Sequence, residues 1–376
     1  MSFSLVLSLI DALSGSLVGR AVSSTRFPGT VGDMHGGEMR VLEIFGNSTD
    51  LGRAHGSVCS DMIRRYADHR IDLTSREDWS GGVADRDLIL SCADETLAHH
   101  ERFSESLYAE MIALADAAGI TPQEAVAVGG FTDLVDVVRA RVAGVPEEHN
   151  CTGIVDPASG VLAQTWDMHA SAGEYVIMLK IDPLIGPDAF VQTTAGCLGQ
   201  IGMNEAGVAV GINNLTSIGK PGVTWPFVVR QMLEQNDLDA AVDVVLDADL
   251  AGGHNYFVMG PDGEGATIEA MPNNKKVTRT NGSPLVHANN CLHPETRAEE
   301  AKRLPEWVAN SDERLRIGEE KARDLEAFFA NPMISRRVDG TAEVGTCGAV
   351  IMEPATLTLR AVWGIPGDHP WETFRL

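Results

Sequence analysis

The residues of this sequence best suited to covalent chemistry surround one cysteine near the middle of the chain. Asn150-Cys151-Thr152 follows a polar run, and the next residues, GIVDPASGVLAQTWD, predict a strand, a turn at 157–160 and a second strand ending near Trp166 and Asp167. Most free cysteines are buried hydrophobic residues with no reaction to perform. Here the polar flank and the adjacent Thr152 hydroxyl favour a thiol at the edge of the strand pair, outside the core.

Two reaction types would use such a cysteine. A papain-like pairing with histidine is disfavoured because the sequence context typical of those cysteines is absent. In the alternative, the Cys151 sulfur attacks the carbonyl carbon of Asn150, a thioester forms, and water releases a chain that begins with Cys151. The new α-amine, with an ordinary pKa of about 7.7 to 8.0, accepts the thiol proton near neutral pH, so no catalytic histidine is required.

The part of the chain before this cysteine is predicted to be mainly helical. Apolar residues recur every three or four positions at 105–119 and 121–144, and Thr121-Pro122 marks a helix start. One strand is predicted at 39–46.

From Cys151 onward the pattern changes to short stretches of period two, which predict strands. Hairpin turns are predicted at Pro261-Asp262-Gly263 and Pro354-Ala355. Helical segments are predicted at about 225–248 and about 294–330, and the charge of the latter predicts a solvated helix. Antiparallel strands interrupted by helical blocks indicate an α+β layered architecture.

The composition excludes several classes of partner. The 376 residues include 29 basic and 53 acidic ones, a net charge of −24 that would repel nucleic acid and anionic membrane surfaces. The N-terminal stretch MSFSLVLSLIDALSGSLVG lacks a basic region and contains Asp11, so we expect an amphipathic helix or a loose arm there, and no signal peptide. No apolar run reaches the roughly 18 residues of a membrane span.

The six cysteines are scattered without a CxxC pair, which favours reduced thiols in a cytoplasmic protein. The histidines do not have the spacing of metal ligands. We therefore expect no metal and no cofactor.

Four motifs lie along the chain in a recognisable order: GNSTDLGRAHG at 46–56, CTGIVDPASGVLAQTWD at 151–167, AGCLGQIGMNEAGVAVGINNL at 195–215 and VHANNC at 286–291. In these motifs the sequence resembles the acyl-coenzyme A:6-aminopenicillanate acyltransferase family. This family is a cysteine branch of the N-terminal-nucleophile hydrolases and also includes β-alanyl amine hydrolases. Each motif is weak alone, but the four together cover most of the chain.

The resemblance implies a fold and a maturation step. The fold would be a four-layer αββα sandwich of two antiparallel sheets between helical layers. Self-cleavage between Asn150 and Cys151 would give a heterodimer of a mainly helical chain, residues 1–150, and a strand-rich chain, residues 151–376, which together form one αββα domain.

The resemblance also implies roles for individual residues. Cys151 would be the nucleophile, Asp167 would hydrogen-bond the α-ammonium or the substrate, and the Asn289 amide would donate to the oxyanion of the tetrahedral intermediate. Further residues are expected in or near the cleft: Thr152, Trp166, Asn213, Asn214 and His287. The sequence has Thr346-Cys347 where the penicillin-forming members of the family have an arginine. We therefore do not expect penicillin synthesis from this protein.

These features predict an autoprocessed cysteine amidohydrolase or acyltransferase that acts on a small acyl-amine or aminoacyl-amine through an acyl-enzyme on Cys151. Three alternatives stay open: an acyl-coenzyme A-dependent N-acyltransferase, a cysteine hydrolase that is never cut, and a non-catalytic scaffold of the same fold. The combination of Cys151, Asp167 and Asn289 argues against the scaffold, which would not need it.

Overall fold

Two β-sheets face each other between two layers of helices in the computed structural model, which describes residues 38–142, 151–338 and 343–376. The N-terminal stretch expected to be a helix or arm, and Asn150 of the expected cleavage site, lie outside the described residues.

Four of the helices before Cys151 begin at a side chain that caps the first turn, namely Asn47, Asp85, Ser104 and Thr121. Thr121 and Glu124 form a reciprocal capping box, so the helix start predicted at Thr121-Pro122 is confirmed. No helix within the described ranges is long and apolar enough to cross a membrane. The helices are α1 (Ser48–Val58), α2 (Ser60–Ser75), α3 (Glu77–Ser80), α4 (Arg86–Phe103), α5 (Glu105–Ala118), α6 (Pro122–Gly129), α7 (Phe131–Val142), α8 (Trp225–Met232), α9 (Leu238–Asp247), α10 (Pro294–Arg297), α11 (Pro305–Lys321) and α12 (Leu325–Ala330).

The strands form a sheet of eight and a sheet of six, in the orders β1-β4-β5-β6-β7-β8-β9-β10 and β11-β2-β3-β12-β13-β14. All neighbours pair antiparallel except β1 and β4, which are parallel. Their bounds are β1 (Val41–Gly46), β2 (Thr152–Asp156), β3 (Val161–His169), β4 (Val176–Pro183), β5 (Ala189–Thr194), β6 (Ile201–Asn204), β7 (Ala209–Leu215), β8 (Gly253–Met259), β9 (Gly265–Ala270), β10 (Lys275–Arg279), β11 (Leu285–His287), β12 (Val344–Glu353), β13 (Thr358–Trp363) and β14 (Glu372–Arg375).

Three apolar clusters separate the four layers. The first lies between the helices of residues 48–142 and 225–247 and the eight-stranded sheet, and it includes Leu134 of α7 and Leu179 of β4. The second fills the space between the two sheets and includes Phe257 and Val350. The third lies between the six-stranded sheet and helices α11 and α12, and it includes Phe328. The predicted four-layer αββα sandwich is thereby confirmed.

Candidate active site

Cys151 lies immediately before β2 and is buried, with 4% of its surface exposed. The expectation of a thiol at a strand-pair edge is wrong, because β11 pairs with β2 on the side away from β3 and makes β2 an inner strand. Burial, followed by the charge of Asp167, raises the pKa of the Cys151 thiol to about 12. The thiol is therefore protonated at neutral pH and needs a base before it can act as a nucleophile.

Asn289 lies in the loop after β11 and contacts the main chain of Cys151 directly. The Cys151 N–H donates to the Asn289 Oδ1 at 3.1 Å. The Asn289 Nδ2 donates to the Asn214 carbonyl oxygen at 2.8 Å, at the end of β7. The side chain thus joins the beginning of β2 in one sheet to the end of β7 in the other.

Arg314 is one of the site residues that the sequence interpretation missed. It lies on α11, in the charged segment predicted to be solvated, yet its side chain is fully buried. Its Nη1 donates to the Cys151 carbonyl oxygen at 2.7 Å and to the Thr152 Oγ1 at 3.0 Å. Its Nη2 donates to the Asn289 Oδ1 at 2.9 Å. The prediction of a solvated helix therefore fails for this face of α11, because these acceptors come from distant parts of the chain.

A glycine lets α11 approach the sheet closely enough for these contacts. A Cβ atom at Gly318, one helical turn after Arg314, would lie 2.5 Å from the Val286 Cγ1 on β11. Real Cβ atoms are not found at such distances, so only glycine fits without a shift of the helix or strand.

Asp167 is buried at the end of β3, where its carboxylate accepts a hydrogen bond of 2.6 Å from the Thr346 hydroxyl. Its Oδ2 has no hydrogen-bond partner in the described part of the chain. Burial raises the pKa of Asp167 to about 7, against the lowering effect of the Thr346 hydroxyl and two arginines. The Asp167 carbonyl oxygen lies 3.7 Å from the Cys151 Sγ, so this residue borders the thiol through its main chain.

Cys347 brings a second thiol to the same strand ends. The pairing of β12 with β3 shifts register between Thr346 and Gly348, a bulge that leaves Cys347 without a partner residue on β3. Its Sγ lies 3.9 Å from the Met168 carbonyl oxygen. The two thiols therefore face the carbonyl groups of successive residues of β3.

His287 and Glu269 anchor the loop that carries Asn289. The Nε2 of His287 lies 3.0 Å from the Glu269 Oε1, and Glu269 also accepts hydrogen bonds from Leu292 N at 2.6 Å and from the Thr296 hydroxyl. Burial opposes ionisation of Glu269, but its bonds with His287 and with the loop outweigh this and lower its pKa to about 2. Glu269 was not singled out from the sequence, where only its position in a strand was visible.

The remaining cleft candidates occupy different surroundings. Thr152 is buried and bonded to Arg314, and Trp166 packs in the apolar cluster between the sheets. Asn213 contacts His287 and Asn255, behind the Asn289 loop. Asn214 presents its main-chain carbonyl to Asn289 and has a buried Oδ1 without a partner among the described residues.

Two of the sequence motifs also meet in space away from Cys151. His55 of the upstream motif is fully buried, and its Nε2 accepts a hydrogen bond of 3.0 Å from the Gly196 N–H. Burial lowers the pKa of His55 to about 4, which keeps the ring neutral as this acceptor role requires.

The four-layer sandwich is the fold expected of N-terminal-nucleophile hydrolases. Residues 155–367, more than half of the chain, match the model of the family described as acyl-coenzyme A:6-aminopenicillanic acid acyl-transferase. The chain belongs to this family.

Curated relatives and solved structures are similar to the chain. The 40 kDa form of acyl-coenzyme A:6-aminopenicillanic-acid-acyltransferase from Emericella nidulans is 25% identical over 254 residues, 66% of this chain and 68% of the relative. A mutant of the conjugated bile acid hydrolase from Clostridium perfringens is 11% identical, with a TM-score of 0.44 over 60% of this chain and 92% of that chain. The penicillin V acylase from Agrobacterium tumefaciens is 12% identical, with a TM-score of 0.36 over 59% and 85%. With both TM-scores below 0.5, the fold assignment depends on the layers themselves and on the family match.

Proposed function

We propose that the protein is an autoprocessed cysteine amidohydrolase that acts on a small amide through an acyl-enzyme on Cys151. The observation that carries the proposal is the convergence on Cys151 of three buried groups. Asn289 accepts from its N–H, Arg314 donates to its carbonyl, and Asp167 borders its thiol. These contacts fix the main chain and the thiol of the residue proposed as the nucleophile, as a preorganised catalytic site requires.

The first chemical step of the proposal is self-cleavage. The Cys151 sulfur bonds to the carbonyl carbon of Asn150, the bond from that carbon to the Cys151 nitrogen breaks, and the nitrogen gains a proton. Water then attacks the thioester, which leaves a carboxylate on Asn150 and a free thiol on Cys151. The products are a chain of residues 1–150 and a chain of residues 151–376, which stay associated as a heterodimer through the shared apolar clusters.

Cleavage would supply the base that the thiol lacks. The N–H that now donates to Asn289 becomes part of an α-amine, whose ordinary pKa of about 7.7 to 8.0 suits it to take and return the thiol proton. The Asn289 Oδ1 would orient this amine.

The same asparagine supports the proposed oxyanion role. Its Nδ2 carries two hydrogens, of which one is used by the Asn214 carbonyl, and the second would donate to the tetrahedral intermediate. Such a donor typically stabilises the transition state by about 3 to 4 kcal/mol.

Hydrolysis and acyl transfer share these steps up to the acyl-enzyme. The name of the Emericella nidulans relative favours an acyl-coenzyme A-dependent N-acyltransferase as the second candidate, in which an amine takes the acyl group in place of water.

The intact mass of the denatured purified protein tests self-cleavage. We expect two chains whose masses sum to the 40.2 kDa chain plus one water, the larger beginning Cys-Thr-Gly. The Cys151→Ala variant should remain one chain. A wild-type preparation that is active on amides yet uncut would contradict self-cleavage and favour the uncut hydrolase.

Amine release from a panel of small amides then distinguishes an active enzyme from a scaffold, and added amine acceptors distinguish transfer from hydrolysis.

A further inference from the structure

Arg70, on α2, is a buried cation without a counter-ion in the described part of the chain. Its side chain is 2% exposed, and its Nε and Nη1 have no hydrogen-bond partner there. Among the side chains that the structure describes, the Tyr66 hydroxyl is the hydrogen-bond partner of this guanidinium, through Nη2. Arginine stays protonated in proteins, so the fold keeps a desolvated positive charge with open donors. A fold does not gain stability from such a group, and this points to a ligand.

Two aromatic rings hold the guanidinium in place. Its central carbon lies 4.2 Å from the centre of the Phe131 ring and 4.5 Å from that of Tyr66. Tyr66 in turn stacks on Tyr175 at 4.2 Å. Cation–π contacts compensate part of the lost hydration but leave the N–H groups in the guanidinium plane free to donate.

The guanidinium adjoins the space between the sheets that also contains the nucleophile. Phe131 and Tyr66 belong to the same apolar cluster as Cys151 and Cys347. Burial, followed by the charge of Asp167, raises the pKa of the Cys347 thiol to about 12, and the positive charge of Arg70 acts against this rise. The positive charge of Arg70 therefore acts on the Cys347 thiol at the β12 bulge, next to Cys151.

We propose that Arg70 binds a carboxylate of the substrate, so that the amide cleaved at Cys151 belongs to a molecule with a carboxylate at some distance from the scissile bond. This inference rests on the proposed function. A single guanidinium matches the single charge of a carboxylate, and a chain with a net charge of −24 needs a local cation to attract an anionic substrate. Arg70 precedes the expected cleavage site, so substrate binding would require both products of cleavage.

Binding of two ligands without an amide bond tests the inference separately from catalysis. We would titrate the purified full chain, in the state in which it is isolated, with 5-phenylpentanoate and with 5-phenylpentan-1-ol, using calorimetry. We expect the carboxylate to bind roughly 10- to 100-fold more tightly than the alcohol, since hydrogen bonds to charged groups have this strength. The Arg70→Met variant should lose the preference, and Arg70→Lys should retain part of it.

Arg65→Met is the matched control, because Arg65 lies on the same helix but is 60% exposed. It should keep the wild-type preference. Measurements on the wild type alone can overturn the inference. They would do so if the two ligands bound equally tightly, or if the carboxylate did not bind. An unchanged preference in a folded Arg70→Met protein would overturn it as well. Chain masses and amine release test the proposed function without these ligands, so the two failures are distinguishable.

Discussion

The guanidinium of Arg314 lies 2.9 Å from the Oδ1 of Asn289, and this contact sets the direction in which the amide faces. Arginine has only donors, so the atom beside it must be the carbonyl oxygen of the asparagine side chain. The amide nitrogen then faces the Asn214 carbonyl and the other sheet. Arg314 therefore controls both the main chain of the proposed nucleophile and the orientation of the proposed oxyanion donor.

Replacement of Arg314 by methionine should impair both stability and self-cleavage. It leaves the buried Cys151 carbonyl and the Asn289 Oδ1 without this donor, so we expect a loss of roughly 3 kcal/mol in unfolding free energy and about 100-fold in the cleavage rate. Urea unfolding and a time course of intact mass measure these. Arg316 lies on the same helix, with 59% of its side chain exposed. Arg316→Met should change the unfolding free energy by no more than about 0.5 kcal/mol and leave the cleavage rate at the wild-type value. Equal effects of the two variants would argue against the proposed role of Arg314.

Gly318→Ala tests whether α11 must lie this close to the sheet. The added methyl group would meet Val286, and overpacking of this kind costs about 1 to 3 kcal/mol. It should also slow self-cleavage, because Arg314 would move away with the helix. Gly173→Ala is the control, since nothing lies within 4 Å of a Cβ at Gly173. Thermal unfolding and chain masses give the two readouts, and a Gly318→Ala protein with wild-type values in both would contradict the argument.

Glu269→Gln should destabilise the protein in a way that depends on pH. The variant weakens the hydrogen bonds that the buried Glu269 carboxylate makes with His287, Leu292 N and the Thr296 hydroxyl, which costs roughly 3 kcal/mol at neutral pH. The pKa of Glu269 falls to about 2 on folding, so its contribution is full above the ordinary glutamate value of about 4.3 and is lost as the pH falls towards 2. The stability difference from the wild type should shrink across this window in urea titrations. Glu306→Gln, at an exposed position of α11, should show no such dependence.

Asp167→Asn should have the opposite pH dependence. Folding raises the pKa of Asp167 from about 3.9 to about 7, so the folded state holds the proton more tightly and the wild type loses stability as the pH rises between these values. The asparagine variant lacks this loss and should gain stability relative to the wild type over that range, by on the order of 4 kcal/mol at most. Asp61→Asn, at a position 87% exposed, provides the baseline. Parallel stability curves of the Asp167→Asn protein and the wild type would show that Asp167 is not buried as described.

Local sequence patterns were sufficient to predict much of the fold. The capped helix start at Thr121 and the hairpin turns at 261–263 and near Pro354 depend on residues within a few positions of one another, and all three are present. The change from helix to strand at Cys151 follows from the change in apolar period, and the four-layer sandwich followed from the motif resemblance.

Turn chemistry and periodicity act over short distances, so they predict where the candidate nucleophile lies along the chain and which elements surround it. The burial of charged side chains near that nucleophile depends on the folded chain and was not predicted. Arg314 and Arg70 stand among other charged residues on helices whose composition suggests solvent exposure, and their burial depends on partners far away in the chain. A charged residue is buried only where distant segments supply acceptors or rings, and such pairings have no local signature.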